Sequence, residues 1–428
     1  MTTEHSLILE AQHALTPCWQ AFDATAQVGF NRVLEAMITE RVHEACFASV
    51  TGYGHDDVGR DVLDRVFAKA FQAEAALVRP HLVSGTHAIA VALNGCLQPG
   101  DTLLSLTGKP YDTLWPVLGL DNDPASRSLT GLGIQYSECN VLSQHQGNDD
   151  ALEGWTVRTV FTSSEIAQIQ AANVVLIQRS RGYSARPALL IEDIQALCEA
   201  IKAVNAQAIV FVDNCYGEFI AASEPCAVGV DLVAGSLIKN PGAGIVPTGG
   251  YIAGRNDLVS RAADVLTCPG IGADGGYLFD MTRTLLQGLF LAPGVVKEAK
   301  MGMSLWAYVL EHLGYETAPG WNAPRGDIIQ ALGLGSAHAM ATVCKAIQSA
   351  SPVNAFVTPE AATFPGYCDP VMMAGGTFIE GSSIELSADG PVRSPYTLYC
   401  QGGLTLHHAR YALNQLLMAE TFQTKRTL

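Results

Sequence analysis

Positive charge is scarce in this sequence. Lysine and arginine together number 25 among 428 residues, against 41 aspartates and glutamates, and the formal net charge is −16. No basic run stands out along the chain. Because proteins that bind nucleic acid neutralise its phosphates with clustered lysine and arginine, this composition predicts that no nucleic acid is a partner.

Ordered cysteine spacing and long apolar runs are also missing. The 11 cysteines, an odd number, include no C-x-x-C pair, which argues against a disulfide framework and a zinc signature. They are typical of small buried side chains in a reducing compartment. No run approaches 18 apolar residues, so no membrane span is expected, and the N-terminal residues do not resemble a secretory signal. These absences favour a cytoplasmic protein.

Apolar residues, in contrast, are plentiful. They make up 48% of the chain and charged residues only 15%, so a sizeable core can be buried. At this length, a large domain with a smaller one is the expected organisation. The low charge fraction also agrees with part of the surface being covered by another subunit.

Apolar segments and helical patterns alternate through the first two thirds of the chain. Predicted helices cover residues 61–71, 87–97 and 191–204, and predicted strands cover residues 75–78, 102–106, 174–178, 208–212, 232–236 and 250–253. Strands written as continuous apolar runs between helices indicate a mostly parallel sheet that is buried on both faces. The polar residues 121–170 are interpreted as surface excursions with at most one helix.

The last third has a different pattern. A long helix is predicted for residues 283–313, followed by strand candidates at residues 353–358, 377–379 and 383–386 and a closing helix at residues 404–420. The predicted fold class is therefore α/β. Its parts are an N-terminal helical arm (1–51), a large domain with the mostly parallel sheet (52–280), and a long helix leading into a smaller C-terminal α+β domain (281–428).

A possible anion site lies between a predicted strand and helix, at Ser84-Gly85-Thr86. Glycine lets the backbone approach an anion closely, and the N–H groups at a helix N-terminus favour phosphate. An ordinary turn with a helix cap would have the same sequence.

Two further residues follow predicted strands. Tyr111 has the position of an aromatic partner for a flat cofactor ring, although a half-buried turn tyrosine is an equal alternative. Asp213 ends an apolar strand, and ligands of parallel sheets bind beyond the carboxyl ends of strands. It could pair with a protonated pyridine nitrogen or simply cap a turn.

Lys239 lies in the apolar and glycine-rich segment GSLIKNPGAG. Lysine is rarely buried without a purpose, and desolvation is expected to lower its pKa and leave an amine that can form an imine. Ser236, three residues earlier, could contact a phosphate. A surface-loop lysine is the alternative for this residue taken alone.

Taken together, these features resemble a known enzyme group. The stretches GYGHDDVGRD, VSGTHAIA, GKPYDTL, FVDNCYGEF, GSLIKNPGAGIVPTGGYIAG and SSIELSADGPVR are similar to those of fold-type-I pyridoxal-phosphate (PLP) enzymes of the cystathionine/methionine γ-lyase group. Within it, they are most similar to the bacterial aluminium-resistance or cystathionine β-lyase-like proteins. The resemblance implies PLP as a Schiff base on Lys239, Asp213 on the pyridine nitrogen and Tyr111 stacked on the ring. The phosphate would be held by Ser84, Gly85, Thr86 and Ser236.

The resemblance also implies a homodimer or homotetramer in which Tyr53 reaches the active site of a neighbouring subunit. The γ-lyases carry an arginine two residues after this tyrosine, directed at the partner's phosphate, whereas this chain has His55 there. Arg60 is slightly preferred over His55 as the replacement. The segment RSRGYSARP also departs from the Asn-Pro signature expected of those enzymes.

Arg393 is the candidate for binding the substrate carboxylate, because a planar guanidinium grips a carboxylate through two parallel hydrogen bonds. Arg179, Arg181 and Arg186 are rivals, and an ordinary surface arginine is the alternative. His407-His408 has no metal partner in the sequence, so the pair is interpreted as structural and no metal site is expected.

The sequence therefore predicts a PLP-dependent lyase that acts on a small amino acid, by β- or γ-elimination at a carbon–sulfur bond. The reaction type rests on the resemblance. Transamination, decarboxylation and an idle PLP-binding protein are the alternatives.

Overall fold

The computed structural model describes residues 3–120, 127–145, 147–363, 369–419 and 422. The α-helices are α1 (Thr3–Thr39), α2 (Val58–Ala70), α3 (Gly85–Cys96), α4 (Trp115–Leu118), α5 (Ser163–Ala171), α6 (Ile191–Val204), α7 (Asn256–Leu266), α8 (Thr282–His312), α9 (Ala337–Ser349) and α10 (Leu406–Leu417). The strands are β1 (Ala75–Arg79), β2 (Thr102–Ser105), β3 (Gln135–Glu138), β4 (Leu142–Gln144), β5 (Trp155–Val157), β6 (Val174–Gln178), β7 (Ile209–Asp213), β8 (Leu232–Ser236), β9 (Gly250–Gly254), β10 (Glu316–Ala318), β11 (Ile329–Gly333), β12 (Val371–Ala374), β13 (Ser387–Pro391) and β14 (Thr397–Gln401).

A seven-stranded sheet has the order β1-β9-β8-β7-β6-β2-β3. Strands β3, β2, β6, β7 and β8 run parallel to one another, and β9 pairs antiparallel with both β8 and β1. Because the carboxyl ends of the parallel strands lie at one edge, the loops that follow β6, β7 and β8 meet there.

Both faces of this sheet are buried, as the continuous apolar runs predicted. Along β6, Val175 and Ile177 face one core cluster, and Val174 and Leu176 face another on the opposite side. Side chains alternate across a strand, so a run that is apolar at every position needs cover on both faces. Helices α2, α6 and α8 contribute to the first cluster and α3 and α7 to the second.

The C-terminal third contains a five-stranded antiparallel sheet of order β10-β11-β14-β13-β12. The predicted strands at residues 353–358, 377–379 and 383–386 are wrong. Phe356 is 89% exposed, so its segment has no core to face. The other two segments are tied together by the buried Glu385 carboxylate, which accepts backbone N–H bonds from Phe378 (2.9 Å) and Ile379 (3.0 Å) in place of a strand ladder.

Helices α1 and α8 pack side by side and reach both sheets. Leu15 of α1 belongs to the core cluster of the small sheet, and Val33 of the same helix belongs to that of the large sheet. The Trp19 indole donates a hydrogen bond to the hydroxyl of Ser304 on α8 at 2.9 Å. Across the described ranges, no helix is long and apolar enough to cross a lipid bilayer.

Candidate active site

A cavity lies at the carboxyl edge of the large sheet, where the small sheet covers it. Gln178 and Asp213 end the neighbouring strands β6 and β7, where they are paired in register, and both line the cavity. Lys239 enters three residues after β8, and the small sheet contributes Asp389 from β13 and Tyr399 from β14. The site is therefore assembled from segments that are far apart in the sequence.

Lys239 lies over the ring of Tyr216, with its Nζ 4.0 Å from the ring centre. Burial lowers the pKa of Lys239, but its electrostatic interactions with Cys215, Tyr216, Asp213 and Glu218 outweigh burial and raise that pKa above its ordinary value. The expectation of a lowered lysine pKa is therefore wrong for the chain alone. Its neighbours come from the loop after β7 and favour the charged amine.

For Asp213, burial has a larger effect on the pKa than the neighbouring charges and hydrogen bonds. Burial raises the pKa of its carboxyl more than the Lys239 charge and the hydrogen bonds from Cys215 lower it. One of these bonds runs from the Cys215 N–H to Asp213 Oδ1 at 3.1 Å and fixes the carboxylate at the end of β7. A carboxylate held in this way in a poorly solvated cavity favours a cationic partner.

Tyr216 was not identified from the sequence, although it lies only three residues after Asp213. Its backbone is left-handed (φ 71°), and its carbonyl accepts a 3.0 Å hydrogen bond from the Asn240 amide. Asn240 also donates to the Glu218 carbonyl at 3.0 Å. The residue after Lys239 thus ties the lysine loop to the aspartate loop, which is a reason for asparagine at this position.

The N-terminus of α3 adjoins the same strand ends. Ser84 caps the helix, since its hydroxyl accepts a 3.0 Å bond from the His87 N–H. A Cβ added to Gly85 would lie 3.1 Å from Cys215 Sγ and 3.2 Å from Ser236 Cβ, so the helix approaches the sheet as closely as glycine allows. Thr86 lines the cavity. The fold therefore brings together Ser84, Gly85, Thr86 and Ser236, which were expected to hold the phosphate.

Tyr111 stands in the cavity wall. Its backbone N–H donates to Gln178 Oε1 at 2.6 Å, and its ring meets that of Tyr183 edge-on, with centres 5.4 Å apart. Gly182, at φ 60°, leaves room for the tyrosine, because an added Cβ would lie 3.2 Å from Tyr111 Cδ2. Gln178, Tyr183 and Gly182 were not identified as site residues, although RSRGYSARP was recognised as unusual.

Asp389, which was not identified from the sequence, brings an acidic group from the small sheet. One carboxylate oxygen accepts a hydrogen bond from the Tyr183 hydroxyl, and the other accepts one from Gln401 Nε2 at 3.0 Å. Burial raises the pKa of Asp389, and these two donors and the Lys239 charge lower it by less. Its position in the motif SADGPVR was visible, but its proximity to Tyr183 was not.

Tyr53, His55 and Arg60 do not line the cavity of their own chain. The Tyr53 side chain is 75% exposed and stacks on the His55 ring, with centres 5.8 Å apart. Arg60 is buried and donates to the Gly54 carbonyl at 2.8 Å and to Asp61 Oδ1 at 3.3 Å. Arg60 therefore braces this loop from inside, while Tyr53 and His55 point outward.

Arg393 also lies outside the cavity that contains Lys239. Its side chain is 56% exposed, and Nη1 pairs with Asp369 Oδ2 at 2.7 Å. Two of its rivals make hydrogen bonds within the chain, although Arg179 Nε and Nη2 have no hydrogen-bond partner among the described residues. Arg179 donates to Asn214 Oδ1 and the Gly217 carbonyl, both at 2.8 Å, and Arg186 donates to main-chain carbonyls.

The two adjacent histidines have local contacts. His407 is 3.2 Å from Arg410 Nη2, and His408 Nε2 is 2.9 Å from the Ala350 carbonyl. Within the described part of the chain, no group of three or more histidine, cysteine, aspartate or glutamate side chains could hold a metal ion.

Comparison with known proteins decides the family. The family model described as methionine γ-lyase matches residues 4–421. The chain belongs to the methionine γ-lyase family. The carbon–sulfur lyase involved in aluminium resistance from Clostridium novyi NT is 41% identical, with a TM-score of 0.89 over 100% of this chain and 96% of its own. A proposed cystathionine β-lyase involved in aluminium resistance, from Listeria monocytogenes, is 43% identical, with a TM-score of 0.90 over 96% and 99% of the two chains.

A less characterised relative and a more distant solved structure are also similar to this chain. The Bacillus subtilis protein YnbB, itself uncharacterised, is 46% identical over 382 residues, which cover 89% of this chain and 88% of YnbB. Cystathionine γ-synthase from Xanthomonas oryzae pv. oryzae, at 17% identity and a TM-score of 0.56, shares the fold. Four expectations from the sequence are confirmed. They are the family resemblance, the fold-type-I α/β class, PLP as the cofactor, and the class of PLP-dependent carbon–sulfur lyase.

The residues present fit the PLP of the methionine γ-lyase family. The cavity contains one lysine, and a carboxylate at the end of β7 suits a protonated ring nitrogen. Gly85 is the first residue of the 12-residue helix α3, and its backbone lies so close to the sheet that an added Cβ would crowd Ser236. The free N–H groups at this helix N-terminus favour a phosphate. Tyr216 and Tyr111 offer ring faces and edges for a flat cofactor.

Proposed function

We propose that this enzyme cleaves the carbon–sulfur bond of a small sulfur amino acid by β- or γ-elimination, and that Lys239 holds PLP covalently. The observation that carries the proposal is the convergence of Lys239, Asp213 and the N-terminus of α3 on one cavity. Asp213 would hold the ring nitrogen, and Ser84, Gly85, Thr86 and Ser236 would hold the phosphate.

When bound, PLP supplies an electron sink for the negative charge that develops at the substrate α-carbon. Once the substrate amine has displaced Lys239 from the cofactor, the freed lysine would remove the α-proton, which requires its amine in the neutral form. In the chain alone, the neighbours of Lys239 raise its pKa, which favours the protonated amine. A cationic ring nitrogen paired with Asp213 would compete for the same negative charge and thereby lower the affinity of the lysine for that proton.

The sulfur group then leaves as its bond to carbon breaks, and a thiolate leaves more easily if a proton is supplied. Tyr111 is the proposed donor, with Tyr53 of a partner subunit as the alternative. Tyr111 is held in the cavity wall by Gln178 and by the edge of Tyr183. The overall products of elimination are a free thiol, an α-keto acid and ammonia.

The test is a release assay on a panel of sulfur amino acids, with thiol, keto acid and ammonia measured separately. We expect thiol and keto acid in equal amounts, with free ammonia. Amino-group transfer to an added keto acid would indicate transamination, and release of CO₂ would indicate decarboxylation. Bound cofactor without turnover of any substrate would mean an idle PLP-binding protein, and each of these results overturns the proposal.

The active enzyme is proposed to be a homodimer or homotetramer in which Tyr53 completes a partner's site. Support comes from the exposure of Tyr53 and its stacking on His55. Because Arg60 is buried and occupied within its own chain, His55 now replaces it as the preferred contact to the partner's phosphate. Reassociating inactive Lys239→Ala subunits with inactive Tyr53→Ala subunits should restore part of the activity, since a hybrid dimer contains one intact site. Mixtures that stay inactive, or an active monomer in sedimentation, would contradict the shared site.

The proposed compartment is the cytoplasm. The ten cysteines among the described residues are all free thiols, which suits reducing surroundings.

A further inference from the structure

Asp389 opens into the cavity that contains Lys239, and the steps proposed so far leave it without a role. Asp213 and Asp389 are the two carboxylates among the described residues that line this cavity. Asp213 ends β7 and is proposed to hold the ring nitrogen, whereas Asp389 faces the cavity from β13 of the small sheet. Asp389 is half-buried, so a ligand in the cavity can reach it.

Two neutral side chains hold the Asp389 carboxylate in place. The Tyr183 hydroxyl donates to one oxygen, and Gln401 Nε2 donates to the other at 3.0 Å. Gln401 is fixed in turn, because its Nε2 also donates to the Ser387 hydroxyl at 3.3 Å. A carboxylate has about four lone-pair sites, so these two bonds leave room for a further donor. Since neither donor carries a positive charge, the carboxylate still favours a cationic ligand.

The surroundings of Asp389 make its carboxylate a stronger base than one in water. Burial raises its pKa, and the two donors and the Lys239 charge lower it by less. Four more ionisable groups interact with it from other elements, and burial raises the pKa of each, so all four are neutral near pH 7. They are Tyr216 after β7, Tyr399 and Cys400 on β14, and Cys344 on α9. A base of this kind can accept a proton from a bound cation.

The substrate needs such a base when it enters. An α-amino acid arrives with a protonated amine at neutral pH, because the pKa of its ammonium group lies above neutrality. Only the neutral amine has the electron pair that can displace Lys239 from the cofactor. At that stage the Lys239 nitrogen is itself linked to the cofactor, and Asp213 is proposed to face the ring nitrogen. Asp389 is the carboxylate that is left in the cavity to take the proton.

We propose that Asp389 binds the α-ammonium group of the substrate and takes one of its protons, which frees the amine to displace Lys239. This role rests on the proposed lyase function and deepens it by naming the residue that prepares the substrate.

The proton and the bonds balance in this step. An N–H bond of the ammonium group breaks, and the proton forms an O–H bond on Asp389. The electron pair of the substrate nitrogen bonds to the cofactor carbon that Lys239 leaves, and the proton on the old linkage stays with the new one. Lys239 therefore departs as a neutral amine, the form that can remove the α-proton. Protonated Asp389 also no longer carries the negative charge that would favour an ammonium on Lys239.

The test measures kcat/KM from pH 7 to pH 10 for the wild-type holoenzyme and for Asp389→Asn, with S-methyl-L-cysteine and L-methionine as probes. The variant has to wait for substrate whose amine is already neutral, whereas the wild type supplies its own base. The ratio of wild type to variant should therefore be about 100 at pH 7 and less than about 3 at pH 10. It should fall about tenfold per pH unit and level off at the pKa of the amine of the probe in use. Groups that titrate in both proteins cancel in the ratio, and partly unfolded variant changes only its overall level. A ratio that does not fall with pH would overturn the proposal.

Four matched variants separate proton transfer from a structural role. Asp389→Glu keeps a carboxylate, so its ratio should not fall toward the pKa of the amine. Asp257→Asn is the surface control, because Asp257 is 44% exposed on α7 and does not line the cavity, and its ratio should stay near one at every pH. Tyr183→Phe and Tyr111→Phe remove the neighbouring hydroxyls but leave Asp389 in place. If either of them, instead of Asp389→Asn, gave the ratio that falls up to the pKa of the amine, that tyrosine would be the proton acceptor and the proposal would be wrong.

A second readout is independent of turnover. In borohydride-treated holoenzyme Lys239 cannot be displaced, and calorimetry can compare the binding of S-methyl-L-cysteine with that of 3-(methylthio)propionate, which lacks only the amine. We expect the wild type to bind the amino acid at least about tenfold more tightly, because its ammonium group meets the Asp389 carboxylate. The preference should drop below about threefold in Asp389→Asn and stay unchanged in Asp257→Asn. Equal binding of the two ligands by the wild type, or a full preference in Asp389→Asn, would overturn the proposal.

The two readouts also distinguish this proposal from the lyase function. A preference that depends on Asp389, without thiol release from any sulfur amino acid, would refute the lyase function alone. Thiol release with a ratio that does not change with pH in Asp389→Asn would refute the role of Asp389 alone.

Discussion

The hydrogen bond between Tyr183 and Asp389 joins the loop after β6 to the small sheet across the active site, and Tyr183→Phe removes it. A hydrogen bond to a charged group contributes about 1.5–3 kcal/mol. The Gln401 amide still donates to the other carboxylate oxygen at 3.0 Å, and both residues line a cavity that water can enter. We therefore expect Tyr183→Phe to lower the free energy of unfolding by about 1–2 kcal/mol at pH 8.

The pH dependence of this loss has a definite sign. Burial already raises the pKa of Asp389, and the Tyr183 donor lowers it, so the variant raises that pKa further. At about 1.4 kcal/mol per pKa unit, the expected rise is about one unit. A carboxyl whose pKa is higher in the folded state costs stability when it is ionised. The effect of Tyr183→Phe should thus be full above the pKa of Asp389 and should shrink as the pH falls below it.

The assay is a double-mutant cycle in which the wild type, Tyr183→Phe, Asp389→Asn and the double variant are unfolded in urea at one protein concentration, at pH 8 and at lower pH. The matched control is Tyr136→Phe, because Tyr136 donates to the exposed Glu138 carboxylate at 2.8 Å. The control should change stability by less than about 0.5 kcal/mol, as surface polar pairs do. A coupling energy below about 0.3 kcal/mol at pH 8, or one that grows as the pH falls, would refute the reasoning.

Three further predictions concern the cofactor. Borohydride should fix PLP to Lys239, as a tryptic map would show, and an adduct on another lysine would contradict the assignment. Lys239→Ala should lose turnover but keep some non-covalent PLP. Asp213→Ala should reduce kcat more than PLP retention in dialysis, because the carboxylate acts mainly on developing charge, and wild-type activity would refute that role. Gly85→Ala should weaken PLP retention, since its Cβ would lie within 3.2 Å of Cys215 Sγ and Ser236 Cβ, whereas Gly294→Ala has nothing within 4 Å and should retain PLP fully. If the two alanine variants retained PLP equally well, the proposed close approach of the phosphate to Gly85 would be wrong.

The large sheet could be predicted from the sequence because its signal is local. The predicted strands at residues 174–178 and 232–236 match β6 and β8 at both ends, and the strand predicted at residues 208–212 is displaced by one residue from β7. Asp213 and Lys239 could be proposed because they follow these strands directly. Parallel strands end at one edge, so a residue just beyond a strand has a predictable place.

The small sheet and its contribution to the site could not be predicted in the same way. Its strands β10 and β12 have three and four residues, and the apolar Phe356 and Phe378 nearby are exposed instead of buried. Asp389 reaches Tyr183 across 206 residues of sequence, which no local pattern encodes. The predicted lowering of the Lys239 pKa was wrong for a related reason. Tyr216 and Glu218 approach the lysine from another loop, which the sequence around Lys239 does not reveal.

The packing of α1 on α8 constrains the order of events during synthesis. Trp19 and its partner Ser304 are separated by 285 residues, so the ribosome releases the first helix long before its neighbour exists. At roughly 5–20 residues per second, roughly 15–60 seconds pass before α8 can cover Leu15, whose partners in the core cluster outside α1 begin at Met303. The face of α1 that carries Leu15 is therefore open to solvent while the large sheet is being synthesised, and a chaperone that binds apolar surface has a long opportunity at this segment.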